Sequence, residues 1–328
     1  MYSLILSQRE KAVVGAVPPP PGITANFVNP PSRAHALLIC NAVLLSFSTL
    51  FMGLRLYTCR FIMRHVRVED YLLIAAFLLW GISYFVPSVA THIGLGRHLW
   101  DIPGPINSDL WIYYIVTRTL YGVSIMLTKL SILTLFLRFV LWGLPRVGIY
   151  ILMAIVIIYS ILTSFYWAYA CRPTEKYWDF TIKGGSCINW FKVAVFGAAM
   201  NTATDAVLLI LPVAFLWNLR TTTRERIGAM IVLMTGGLVF IASVIRLKLL
   251  LVRVSPDFTW TVFPTYVCLT IEVHVAIVCA CLSAGKPFLR KHMPWVMGDS
   301  QGTSSAMAMV HSPTIPSIRT QRLPSRGT

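Results

Sequence analysis

The sequence predicts an all-α polytopic membrane protein, a bundle of seven transmembrane helices with its N-terminus outside and its C-terminus in the cytoplasm. Three observations carry this. Of its 328 residues, 56% are hydrophobic and 12% charged, whereas a soluble domain carries about 25% charged residues. The apolar residues gather into seven runs, each long enough for the roughly 20 residues that cross a bilayer. Lys and Arg collect in alternate connections, as membrane orientation demands. The net charge of +16 therefore follows topology, and no nucleic-acid partner is expected. The expected surroundings are a lipid bilayer, with the plasma membrane as the location of this multi-pass chain.

Residues 1–33 read as an extracellular Pro-rich tail. Met1 to Leu6 is too short for a signal-peptide apolar region and Arg9, Glu10 and Lys11 soon follow it. Pro18 to Pro21, then Gly22, favour an extended, unpacked segment. The membrane domain spans 34–285, with spans at about 34–57, 70–93, 110–138, 147–170, 190–217, 227–252 and 260–282. The first, third and fifth connections and the C-terminal tail hold fourteen Lys and Arg; the N-terminal tail and the other connections hold eight. That bias sets the orientation, and an odd number of spans agrees with it. Residues 286–328, polar and rich in Ser, Thr, Pro and Arg, read as a disordered basic cytoplasmic tail.

Cys171 and Cys187 both fall in the fourth connection, on the side read as outer, with the turn pair Gly184-Gly185 between them. An oxidising compartment favours a disulfide there over two free thiols. Cys40, Cys268, Cys279 and Cys281 read as packing residues. Cys59, beside a basic connection, is open to palmitoylation as an alternative to packing.

The third span carries the chemistry around which the others arrange. Arg118 and Lys129 sit eleven residues apart with no Asp or Glu between them. Eleven residues is close to three helical turns, so both share one face with Tyr114, Tyr121 and Ile125. Two cations facing lipid are costly, so this face looks inward. Asp205 lies mid-way along the fifth span, one turn after Asn201, and Glu272 mid-way along the seventh; Arg246 lies toward the end of the sixth. At about 1.5 Å per residue, depth pairs Lys129 with Asp205 and Asn201, and Glu272 with either Arg118 or Arg246. Arg118, Lys129, Asn201, Asp205, Arg246 and Glu272 are thus the candidate ligand-site residues. The alternative is a set of structural ion pairs that fix helix packing.

Weaker signals surround these. His92 and His98 flank Gly94-Leu95-Gly96, without a spacing that compels metal binding. His274 shares no face with Glu272, so a His-Glu metal pair is not favoured. Glu69-Asp70 opens the second span, where helix capping and contact with the Arg-rich connection account for both acids. Pro212 and Pro264 lie inside spans, a common feature of membrane bundles. No P-loop, nucleophile elbow, His-Glu-x-x-His helix or nucleotide fingerprint occurs. No catalytic residue and no metal site is expected, and the chain reads as a receptor-like or structural bundle more than an enzyme.

These features together resemble the fungal seven-helix integral membrane proteins that carry a rhodopsin-like domain. The resemblance runs from about Pro18 to Arg290. It rests on Pro-Pro-Gly at 20–22; Glu69-Asp70-Tyr71; Gly94-Leu95-Gly96-Arg97-His98 with Trp100-Asp101; Lys129-Leu130-Ser131; Cys171-Arg172-Pro173 with Trp178 and Cys187; Asn201 with Thr204-Asp205; Arg246; and Glu272 with Cys279-Ala280-Cys281. It implies receptor-like sensing or signalling, with a cytoplasmic signalling partner and a small ligand of unknown identity. Ser283 departs from the proline often found there. Opsins hold retinal on a seventh-helix lysine, and no lysine occurs between Trp260 and Leu282, so no retinal or other cofactor is expected. Family members also occur in secondary-metabolite gene clusters, which implies the alternative of an accessory membrane protein or enzyme of such a biosynthesis. A small-solute transporter is the third reading, disfavoured by the absence of an internal repeat.

Overall fold

The computed structural model describes residues 15, 17–83, 94–102, 108–139, 143–169, 171–177, 182–217, 223–252, 257–285, 288 and 291–292. Seven α-helices run through them. They are α1 Ala34–Tyr57, α2 Val68–Ser83, α3 Ser108–Phe139, α4 Leu144–Tyr169, α5 Trp190–Trp217, α6 Thr223–Val252 and α7 Phe258–Ser283. Six are long and apolar enough to cross a membrane: α1 with the π-helical turns that extend it to Met63, α3, α4, α5, α6 and α7. The described part of α2 has 16 residues. The rest of the predicted second span, 84–93, lies outside the described residues, as does His92.

The helices bury polar residues and expose apolar ones. In α1 the buried stripe is Ala34, Leu37, Asn41, Ser48, Met52 and Arg55, with three polar side chains spaced seven residues, or about two turns, apart. Ile39, Val43, Phe47 and Leu50 point outward. Hydrocarbon rewards this inversion: it solvates apolar side chains and leaves polar ones to find partners within the bundle. The helix α7 is central. Of its most apolar window 72% is buried, against 50% for α3 and 22–33% for the other four spanning helices. It packs on α1, α3 and α6, while α3 also packs on α2 and α4, and α5 on α4 and α6. At the α3–α4 contact an added Cβ at Gly122 would stand 2.7 Å from Ser164 Oγ, so a larger residue there would displace that hydroxyl.

Local chemistry sets the helix ends. The Asp70 carboxylate accepts the Arg67 backbone N–H at 3.0 Å, closing the N-terminus of α2 from its third position. Asn189 caps α5 by accepting the Phe191 and Lys192 N–H groups. Pro212 and Pro264 sit inside continuous helices. At Ser283, where α7 ends, the hydroxyl bonds back to the Cys279 carbonyl at 2.8 Å.

Cys171 and Cys187 form a disulfide that joins two short antiparallel strands, β1 Cys171–Arg172 and β2 Ser186–Cys187. Near the start of α7, residues 94–102 form a turn and a short 3-10 segment that tie several elements together. Gly94 and Gly96 take positive φ angles of 129° and 87°, a region open to glycine. The Gly96 carbonyl accepts the Arg33 N–H ahead of α1, and the Asp101 carboxylate accepts the Asn26 N–H. Pro18 to Gly22 is largely exposed. Cys59 is 1% exposed, which withdraws its thiol from acylation; it is a packing residue. Phe288, Lys291 and His292 belong to a second unit, Phe288–Thr328, in which the Phe288 and His292 rings stack at 4.7 Å.

Candidate functional site

The face predicted for α3 is buried as a set: Tyr114, Arg118, Tyr121, Ile125 and Lys129 are each less than one-tenth exposed. Lys129 Nζ lies 2.8 Å from Asp205 Oδ1. It also donates to Thr204 Oγ1 at 2.7 Å, Asn201 Oδ1 at 2.9 Å and the Asn201 carbonyl at 3.0 Å. The three α5 positions fall within about one turn, so one face of α5 supplies most of the ammonium's partners, and Tyr159 OH of α4 lies 3.4 Å away. At α6 and α7, Arg246 Nε meets Glu272 Oε2 at 3.0 Å, and Tyr121 OH donates to Glu272 Oε1 at 2.7 Å.

Asn201 joins the two ion pairs. Its amide nitrogen, with two N–H bonds, has three acceptors in reach, Asp205 Oδ2 at 3.0 Å, Ser243 Oγ at 2.9 Å and Glu272 Oε1 at 2.5 Å, while its amide oxygen accepts from Lys129. The charges fix this orientation: the nitrogen faces two carboxylates and the oxygen faces an ammonium. Ser243 in turn donates to Asp205. The result is one polar network across α3, α5, α6 and α7 with both carboxylates compensated. Asn201 touches both ion pairs, while the Tyr121–Glu272 bond ties α3 to α7 and the Ser243–Asp205 bond ties α6 to α5.

Glu272 thus takes Arg246 of the two partners that depth allowed. Arg118 is placed differently. It is 5% exposed, and its Nε and Nη2 atoms have no hydrogen-bond partner among the described residues. Its guanidinium carbon lies 5.3 Å from the Tyr114 ring, 5.7 Å from Trp167 and 5.8 Å from Tyr266. Such cation–π contacts are worth about 0.5–2 kcal/mol each. Desolvating an ion costs several kcal/mol even after the protein relaxes, so the rings offset only part of the burden.

Two clusters were not legible in the sequence. Arg55 in α1 and Asp70 in α2 form a buried pair at 2.7 Å, and Arg55 also donates to the Ala280 carbonyl of α7. Asp70 therefore does more than cap its helix: Glu69 and Asp70 do contact Arg67 of the Arg-rich connection, as expected, and Asp70 also holds Arg55. Arg55 has a signal, a cation inside an apolar run, but it lies close enough to the end of the first span to pass for a flanking charge. In the second cluster, His98 stacks between Trp100 and Trp260 with ring centroids 4.6 and 4.0 Å away. Its Nδ1 lies 2.6 Å from Asp257 Oδ2. Nothing local predicts that pairing across 159 residues. His274 is held by Ser48 Oγ at 2.9 Å and Trp80 Nε1 at 3.3 Å, a packed core histidine. No group of three or more His, Cys, Asp or Glu fit for a metal ion occurs among the described residues.

Comparison with known proteins places this bundle. The chain is 30% identical over 218 residues to a SAT4 family membrane protein of Emericella nidulans, covering 64% of this chain and 54% of that one. It is 24% identical over 249 residues to Fugralins biosynthesis cluster protein 2 of Gibberella zeae, covering 71% and 60%. It is 23% identical over 204 residues to Receptor GIN3 of Arthrobotrys oligospora, covering 61% and 49%. The chain thus spans between about half and three fifths of the length of these relatives. No solved structure matches it. The model of the fungal rhodopsin domain matches residues 54–291, most of the membrane bundle and all six candidate site residues, and the chain belongs to that family.

Proposed function

We propose that this chain is a receptor-like sensor of the plasma membrane. It crosses the bilayer seven times, with its N-terminus outside and its C-terminus in the cytoplasm. It works without retinal, because α7 carries no lysine to form a Schiff base. A small ligand enters the bundle and a cytoplasmic protein reads the change. The observation that carries this reading is the Asn201 bridge. One hydrogen-bonded network links four helices, so a shift of one helix is transmitted to groups on the others, the kind of packed contact through which a bundle can switch between discrete states. A relative named as a receptor supports the same reading.

The test is co-purification. The full-length protein, expressed in fungal membranes, is expected to retain a heterotrimeric G-protein α subunit in nucleotide-free buffer and to release it on addition of a non-hydrolysable GTP analogue. Equal recovery on a control membrane protein refutes the sensor reading. A second reading has its own support: relatives are named as members of biosynthesis clusters. On that reading the chain is an accessory membrane protein or enzyme handling an apolar metabolite. Deletion of the gene would then abolish a product that a supplied intermediate restores.

A further inference from the structure

We infer that Arg118 is the anchor of a binding site for a monocarboxylate ligand, held by the guanidinium edge with a short apolar body beside it. Mid-bundle, among the described residues, the buried cations are Arg118, Lys129 and Arg246, and the buried carboxylates are Asp205 and Glu272. Lys129 and Arg246 each hold one of those carboxylates. One positive charge, on Arg118, is left without a counter-charge among the described residues. A lone cation at membrane depth is costly, and one negative charge balances it. A dianion leaves an excess negative charge, and a neutral or cationic ligand leaves the imbalance in place.

The geometry adds a choice of anion. The two nitrogens without partners are Nε and Nη2. Their N–H bonds run side by side along one edge of the guanidinium, the arrangement that grips both oxygens of a carboxylate. Arg118 lines a cavity of about 40 Å³ between α3, α4 and α5. One water needs about 10–15 Å³ on this measure, so the space takes a carboxylate and little more before the chain must run along the wall. Gly122, Ala194, Gly197 and Ala198 make part of the wall small and apolar, and Asn201 and Arg246 of the polar network also line the cavity. Ser160 lines the same cavity, and its hydroxyl is buried without a hydrogen-bond partner among the described residues. It supplies a further donor from α4.

The inference rests on the sensor reading in taking the bundle as ligand-binding. Its test uses the purified full-length protein in detergent, without any partner. Thermal unfolding is followed against sodium butyrate, with 1-butanol, butylammonium chloride and sodium chloride as matched controls. Butyrate is expected to raise Tm by several degrees in a saturable way, and the three controls are not. Arg118→Met should abolish the shift, Arg118→Lys should weaken binding at least tenfold, and Ser160→Ala should weaken it severalfold while leaving the fold intact. Because Arg118→Met removes an unbalanced charge, its own Tm without ligand should equal or exceed that of the unaltered protein. Three results overturn the inference: no shift with butyrate, an equal shift with chloride, which means an inorganic counter-ion, or a shift that survives Arg118→Met. Butyrate binding through Arg118 without recruitment of a G-protein subunit sinks the sensor reading alone; recruitment without butyrate binding sinks this inference alone.

Discussion

Replacing Lys129 with Met leaves the Asp205 carboxylate buried without its counter-charge, held by Asn201 Nδ2 and Ser243 Oγ alone. Replacing Asp205 with Asn keeps the shape but leaves the Lys129 ammonium with neutral acceptors at Asn201 and Thr204. Breaking one side of a buried pair costs about 3–5 kcal/mol, whereas removing both partners can be nearly neutral. The neutral hydrogen bonds that survive put each single variant toward the lower end of that range. At about 2–4 °C per kcal/mol for a bundle of this size, each single substitution should lower Tm by roughly 6–12 °C. Lys129→Met/Asp205→Asn should lie within about 1–2 kcal/mol of the unaltered protein. The assay is thermal unfolding in detergent for all four proteins, read as a double-mutant cycle. If the two single losses simply add, the residues do not interact, and the network described here is wrong at its centre.

Three further outcomes follow from the structure. Asp70→Asn should cost about 3–5 kcal/mol by stranding Arg55, and Arg55→Met/Asp70→Asn should recover most of it; single losses that simply add in the double variant contradict the pairing seen at 2.7 Å. Non-reducing digestion and mass spectrometry should show a peptide joining Cys171 to Cys187, and Cys187→Ser should cost about 2–4 kcal/mol for a loop of this length; alkylatable thiols at both positions refute it. A reporter thiol from Ser312→Cys should react in intact cells only with membrane-permeant reagents, and labelling by an impermeant reagent reverses the proposed orientation.

Much of the site was legible because hydrocarbon makes charge placement exacting. The eleven-residue spacing of Arg118 and Lys129 put both on one face, and depth along the helices joined Lys129 to Asp205 and Asn201. Span limits were readable for the same reason: α1 covers Ala34–Tyr57 and α5 Trp190–Trp217, the same limits as the predicted runs. Depth could not separate Arg118 from Arg246 as the partner of Glu272, because both lie within reach along the axis. The choice depends on which way each helix is rotated, and that is set by packing. Arg55 was hidden by its position near a span end, where flanking cations are common. The contact of Asp257 with His98 and Leu99 joins distant loops and has no local pattern at all.

The sensor reading depends on the Asn201-centred network serving function beyond packing, and the balanced double variant isolates that. Lys129→Met/Asp205→Asn is expected to keep its fold and membrane level, and the measurement is the amount of G-protein α subunit that co-purifies with it. If the network carries the signal, recovery falls at least tenfold relative to the unaltered protein while Tm stays within a few degrees. Full recovery with the ion pair removed contradicts the claim and leaves the pair a structural fastener.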